Sequence, residues 1–174
     1  MKKTLLAIAV VAASSGAYAQ VDNFYGEIGY GGMQYSESGL SATPGVGIVR
    51  LGMSINPNFS VEGLYAGTIN NANVNVYGYP VSVKFNDIYG AYVKGKTEVA
   101  QNLELFAKAG ITSAKLNASV VGHTFSTSGS DFSYGAGAQY NFTKAVYVEA
   151  DYMSYYDKGG ASVKGPSINL GFKF

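Results

Sequence analysis

The chain alternates most cleanly at its carboxyl end. From Ser167, the residues Ile168, Leu170, Phe172 and Phe174 fall on one side, and Ser167, Asn169, Gly171 and Lys173 on the other. A period of two marks a strand whose faces meet different surroundings. The stretch stops on an aromatic residue, where a frayed polar tail is the usual pattern. This strand is therefore expected to find a partner edge, and to close a barrel against the first strand of the mature chain.

The same period recurs upstream. In 24–34, Phe24, Ile28 and Tyr30 oppose Tyr25, Glu27, Gly29 and Gly31. In 46–55, Val49, Leu51, Met53 and Ile55 oppose Ile48, Arg50, Gly52 and Ser54. Asn56-Pro57-Asn58 then makes a tight turn into 59–69, where Phe59, Val61, Tyr65 and Ile69 oppose Glu62 and Thr68, the clearest hairpin in the chain. Strands are also predicted over 81–94, 103–112, 131–140 and 145–155. In 81–94, Val83 and Phe85 share a face with Tyr89, Ala91 and Val93 only if Asp87 joins them. A bulge near Asn86-Asp87, or a position above a membrane, relieves that conflict.

The count of strands is even, and the connections alternate in length. Those at 36–45, 70–80, 115–129 and 156–164 are longer and read as loops, with the Val74-Asn75-Val76 alternation able to extend strands beyond a membrane. Those at 56–58, 95–101 and 141–144 are shorter. Short periplasmic turns and longer outer loops in strict order belong to an even-stranded membrane barrel. The expected fold is therefore all-β: an eight-stranded antiparallel up-and-down transmembrane β-barrel.

The amino terminus supports export. Lys2 and Lys3 precede an apolar run from Leu5 to Ala13, and Ala17-Tyr18-Ala19 offers a small-x-small cleavage site before Gln20. This is the pattern of a secretory signal peptide, with a core too short to cross about 30 Å of hydrocarbon. Residues 1–19 are read as the signal and 20–174 as one barrel domain in the outer membrane of a Gram-negative bacterium. Removing two of the 12 basic residues leaves a near balance with the 11 acidic ones, and no basic cluster suits nucleic acid. Cysteine is absent, so something other than disulfides must hold this exported domain, and a closed hydrogen-bond network is one way to do it.

The charges fall opposite the large apolar sets. Glu27, Arg50, Glu62, Lys84, Glu104, Lys108, Asp131, Glu149, Asp151 and Lys173 are all assigned to the lumen. Eight strands leave an interior just wide enough for side chains, so a packed polar plug is expected. The glycines at 29, 31, 52, 110, 135, 137 and 171 are expected to make room for its long charged side chains. Phe24, Phe59, Tyr140, Tyr152, Phe172 and Phe174 lie near strand ends, as interfacial girdles require.

Two stretches carry a resemblance: Phe24-Tyr25-Gly26-Glu27-Ile28-Gly29-Tyr30-Gly31-Gly32 and Ile168-Asn169-Leu170-Gly171-Phe172-Lys173-Phe174. With them the mature chain resembles the small eight-stranded bacterial outer-membrane proteins of the OmpA-transmembrane-domain, OmpX and opacity-protein type. The resemblance implies that Gly171, Phe172 and Phe174, with Leu170 and Ile168 on the same apolar face, form the signal read by the barrel-assembly machinery. It also implies periplasmic chaperones as partners during biogenesis, and outer-membrane lipid and lipopolysaccharide afterwards. No peptidoglycan-binding domain is read after the barrel, so cell-wall tethering of the full-length OmpA kind is not expected. A monomer is expected.

Candidate chemistry is sparse. His123 stands in the third long connection with Thr124, Ser126 and Ser128 nearby and Asp131 further on. Known deacylase barrels resemble a His-x-Ser-Asn arrangement, from which His123-Thr124-Phe125-Ser126-Thr127 departs. No catalytic residues, cofactor or metal site are assigned. The leading reading is a structural or interaction barrel whose outer loops meet a host or matrix surface. Tyr35, Tyr77, Tyr79, His123, Tyr155 and Tyr156 are its candidate contacts. The alternatives are a narrow channel for small solutes, a lipid-modifying enzyme, and an exported soluble sandwich or lipocalin-like binder.

Overall fold

The computed structural model describes residues 23–37, 40–76, 79–120 and 123–174, with side chains outside the description at 40, 73–86 and 116–127. The expected signal peptide and Tyr77 lie outside the described residues. Strands β1 (Phe24–Gly32), β4 (Gly45–Ser54), β5 (Phe59–Asn70), β7 (Tyr79–Ala100), β8 (Leu103–Val120), β9 (His123–Asn141), β10 (Val146–Lys158) and β11 (Ala161–Lys173) form a closed antiparallel barrel of eight strands. Three short strands, β2 (Gln34–Glu37), β3 (Leu40–Ala42) and β6 (Ala72–Val76), continue it at one end. No helix is present among the described residues.

Closure is made by the stretch that alternates most cleanly. β11 pairs with β1 from Ser167 opposite Gly31 to Lys173 opposite Tyr25. One further bond, Phe174 N–H to the Phe24 carbonyl at 2.9 Å, secures the last residue. Ile168, Leu170 and Phe172 of β11, and Phe174 just beyond it, face outward. Pairing around the whole circumference leaves no strand edge in the apolar zone, where an unpaired backbone group would cost several kcal/mol.

The short turns lie at the end that carries Phe24 and Phe174, and each has a local cause. Asn56 Oδ1 accepts the backbone N–H groups of Asn58 and Phe59 at 2.9 and 2.8 Å, so its side chain stands in for a backbone turn. Thr143 Oγ1 accepts Ala145 and Val146 in the same way at 3.1 and 3.0 Å. Asn102 turns β7 into β8 with φ of 66°, a left-handed conformation that asparagine tolerates better than most residues.

At the opposite end the predicted loops prove to be mostly strand. β7, β8 and β9 run for 22, 18 and 19 residues, where spanning a membrane takes about 9–11. The stretch 115–129 is a hairpin stem that pairs as far as Val120 opposite His123. β2 pairs with β3 from Tyr35 opposite Ala42 to Glu37 opposite Leu40, and 72–76 pair with 79–83. β10 and β11 meet across Gly159 and Gly160, whose φ values of 65° and 83° suit glycine. Beyond the membrane both faces of a strand meet water, so the apolar alternation fades while backbone pairing continues.

The expected irregularity in β7 is present: the register shifts between Phe85 and Asp87. Asp87 takes a hydrogen bond from the Tyr65 hydroxyl at 3.0 Å on the outer face. A second shift, between Ser154 and Tyr156 in β10, turns Tyr155 inward. Tyr155 is therefore a core residue and not the exposed contact expected from the sequence.

Candidate functional site

The outer wall is an apolar belt. Ile28, Leu51, Val61, Val93, Ile111 and Leu170 are exposed across its middle. Phe24, Phe59, Tyr140, Phe142, Phe172 and Phe174 ring the end with the short turns. Tyr30, Tyr89, Phe132, Tyr134 and Tyr152 ring the other. Two aromatic girdles flanking an apolar band match the two interfaces of a bilayer.

The inside is the reverse. Seven charged side chains meet at mid-height: Glu27, Arg50, Glu62, Lys94, Lys108, Glu149 and Asp151, each at most 5 % exposed. Arg50 Nη1 lies 3.2 Å from Glu27 and 3.3 Å from Glu149, and its Nη2 lies 2.9 Å from Asp151. Lys108 bridges Glu62 at 2.9 Å and Glu149 at 2.6 Å. Lys94 pairs with Glu149 and stands 3.4 Å from Glu62. Charges so far from water persist only when paired and hydrogen-bonded. Neighbouring polar groups complete the set. Tyr25 donates to Glu62 at 2.7 Å, Tyr147 to Glu27 at 2.8 Å, and Ser167 to Asp151 at 2.6 Å.

Small residues in the wall make this possible, though not as expected. The Tyr25 ring occupies the space a side chain at residue 52 would need, and the Tyr147 ring does so at residue 171. Phe106 likewise fills the place beside Gly137, and Met153 that beside Gly135. Gly52, Gly135, Gly137 and Gly171 thus admit aromatic rings and methionine, while the charged side chains reach across the centre. Phe106 lies between two of them, with Lys94 Nζ at 4.5 Å and Lys108 Nζ at 4.9 Å from its ring centre.

Four of the charges assigned to the lumen lie outside the central cluster. Glu104 pairs with Lys96 at 2.9 Å near the periplasmic mouth. Lys173 bonds Asn141 at 2.9 Å at that same mouth. Asp131 sits at the outer rim, where its carboxylate accepts the backbone N–H groups of Asp157 and Phe132, both at 2.9 Å. These two donors hold its pKa below the usual aspartate value. Lys84 pairs with Asn117 in the outer part of β7, with its side chain outside the description. The inward lysine that sequence reading missed is Lys94. With Tyr89, Ala91 and Val93 outward, the period of two turns Tyr92 and Lys94 inward together.

Above the ionic cluster the lumen becomes hydroxylic and then apolar. The Tyr92 hydroxyl bonds Thr112 and lies 3.2 Å from Ser133, which donates to the Ser154 carbonyl at 2.8 Å. Met33, Val46, Ile48, Leu64, Ile88 and Met153 then close the outer half, with Tyr35 and Tyr156 packed on top. Charged and apolar layers in series fill the lumen among the described residues.

The carboxylates of Glu27, Glu62 and Glu149 offer oxygens within 4.8 Å of one another. Arg50, Lys94 and Lys108 already meet those oxygens, so the donor set is matched to fixed cations and not to a metal ion. His123 opens β9 opposite Val120, and its side chain, with those of Thr124 and Ser126, lies outside the description. Tyr79 is placed by its backbone alone, opposite Val76.

The fold has known counterparts. Ail, the attachment invasion locus protein of Yersinia pestis, shares 20% identity over 87% of this chain and 98% of its own, with a TM-score of 0.65. Neisserial surface protein A gives 16% identity, 87% and 97% coverage and a TM-score of 0.71. The N-terminal β-barrel domain of Pseudomonas aeruginosa OprF gives 12%, 87%, 98% and 0.65. At these identities the likeness is one of fold. No curated protein matches the sequence significantly. The pattern of the outer membrane protein beta-barrel domain matches residues 4–174. With a lipid-facing belt, a filled polar lumen and that match over nearly the whole length, the chain belongs to the outer membrane protein beta-barrel family.

Proposed function

We propose that this barrel is a non-enzymatic surface protein whose outer strand extensions meet a host or matrix partner. The observation that carries the reading is the length of β7, β8 and β9. Roughly half of each exceeds what a membrane crossing needs. The surplus builds a paired, raised surface above a sealed lumen. Export through a signal peptide cleaved after Ala19, and assembly guided by Ile168, Leu170, Gly171, Phe172 and Phe174, belong to the same proposal. Lipopolysaccharide surrounds the outer girdle in it.

Ail was solved with the heparin analogue sucrose octasulfate. The outer part of this chain carries Lys84, Lys115, Lys158 and Lys164 against Glu37, Asp87, Asp131 and Asp157. Lys164 is already bound to Asp157 at 2.7 Å. That balance, among many serine, threonine and asparagine residues, favours an uncharged polar partner over a polyanion.

The test joins Ser113 to Ser130 by a short turn, removing the β8–β9 stem but not the membrane wall. Bacteria bearing the full chain should adhere to cultured epithelial cells above vector controls, and the shortened variant should fall to background. Equal adherence by both, or none by the full chain, would overturn the reading. The channel alternative is favoured by no particular observation, because the lumen is filled by both its ionic and apolar layers.

A further inference from the structure

The central cluster does not balance. Four carboxylates, those of Glu27, Glu62, Glu149 and Asp151, face three cations, Arg50, Lys94 and Lys108. All seven side chains are at most 2 % exposed, so bulk water does not screen the difference. Counter-charge from the next layer is weak. Lys96 at the periplasmic mouth is matched by Glu104. Lys173 lies behind the Tyr147 ring, 5.2 Å from its centre, and is only half-buried.

The four carboxylates are unequally served. Glu149, on β10, meets all three cations, from Arg50 on β4, Lys94 on β7 and Lys108 on β8. Asp151 has Arg50 at 2.9 Å, Lys108 at 3.9 Å and the Ser167 hydroxyl of β11 at 2.6 Å. Glu62 on β5 has Lys108 at 2.9 Å, Lys94 at 3.4 Å and the Tyr25 hydroxyl. Glu27 on β1 has only Arg50 at 3.2 Å, Lys94 at 3.9 Å and the Tyr147 hydroxyl. β9 contributes no charge at this height, only the Gln139 amide, which accepts from Lys94 at 3.3 Å. Glu27 also lies against Glu62 and Glu149, with oxygens of all three within 4.8 Å. Carboxylates crowded out of water do not all stay ionised.

We propose that Glu27 is a protonated carboxylic acid in the folded barrel at neutral pH, and that this proton completes the charge balance of the plug. Loss of the proton in alkaline solution sets a fourth negative charge among three cations and loosens the cluster.

Infrared spectroscopy of the folded, membrane-reconstituted protein tests this. The wild type should show the C=O stretch of a protonated carboxyl at neutral pH. The band should shift in D2O, fade as pH is raised, and be missing from Glu27→Gln but present in Asp131→Asn, which leaves the charge of the cluster unchanged. Glutamine mimics a neutral acid, so Glu27→Gln should keep the heat-modifiable gel band and the wild-type urea midpoint, while Glu149→Gln lowers that midpoint. No protonated-carboxyl band in the wild type, a band that survives Glu27→Gln, or failure of Glu27→Gln to fold would each overturn the proposal.

Discussion

The Tyr147 hydroxyl donates to Oε1 of Glu27 at 2.8 Å, although 120 positions separate the two residues. The bond joins β10 to β1 across the seam that β11 closes. Both groups are buried, so neither finds water if the other is removed. A buried hydrogen bond to a carboxyl group contributes about 1–3 kcal/mol. Tyr147→Phe should therefore lower the unfolding free energy by about that amount, read from urea titrations in lipid vesicles followed by gel shift.

The ring of Tyr147 reaches that position only because residue 171 has no side chain. Gly171→Ala places a methyl group inside the ring, and overpacking of this kind costs about 1–3 kcal/mol. At Gly63, by contrast, an added Cβ meets nothing nearer than the Leu51 carbonyl at 3.9 Å. Gly63→Ala should be neutral or stabilise by about 0.4–1 kcal/mol through the unfolded chain. The temperatures at which the two variants lose the compact gel band should therefore move in opposite directions, or only the first should move.

What the sequence disclosed, and what it hid, follows the surroundings of each residue. Inside the membrane the two faces differ sharply, so the alternation around Arg50, Glu62 and Glu149 was plain, as was closure by β11. Outside it, Ser119 and Thr124 still pair, but nothing in their polarity separates a strand from a loop. Lys94 was overlooked because the phase of β7 is interrupted at Asn86. Tyr155 was misplaced because the shift after Ser154 leaves no trace in residue type. Whether a carboxylate such as Asp131 ends in the cluster or at the rim depends on height along the barrel, which alternation alone does not encode.

Arg50 supports three acids from one side chain. Arg50→Met should cost about 3–5 kcal/mol, the usual penalty for stranding a buried partner. The loss should be smaller when Asp151→Asn is added, because the carboxylate nearest the guanidinium is then neutral. A double-mutant cycle in urea should give a coupling of about 0.5–3 kcal/mol between the two positions. Additive losses would mean that the pair does not act as a unit.

The belt predicts a penalty that depends on depth. Val93 is exposed at mid-height, so Val93→Arg places a charge in hydrocarbon and should cost about 2–4 kcal/mol. Lys164 lies beyond the outer girdle in a solvent-exposed pair with Asp157. Lys164→Ala should change stability by no more than about 1 kcal/mol. Refolding yields into vesicles, compared for the two variants, check the contrast. Equal penalties would place the bilayer at the wrong height on the barrel.

Asp131 ties the outer ends of β9 and β10 together by accepting the Asp157 backbone N–H at 2.9 Å. Its own neighbour Phe132 supplies a second N–H, and the two donors hold its folded pKa below that of an ordinary aspartate. The sign follows from that direction. Both donors favour the ionised form, so the contribution is fully present above the unfolded pKa. It is lost as pH falls through the lower folded value. Hydrogen exchange at the Asp157 amide should be slow near neutral pH and lose its protection only in strongly acidic buffer, after correction for intrinsic rates. In Asp131→Ala the protection should be weak at every pH, while the amides of β11 that pair with β1 stay protected. Unchanged protection at Asp157 in that variant would mean that pairing with β11, and not the aspartate, holds this end of β10.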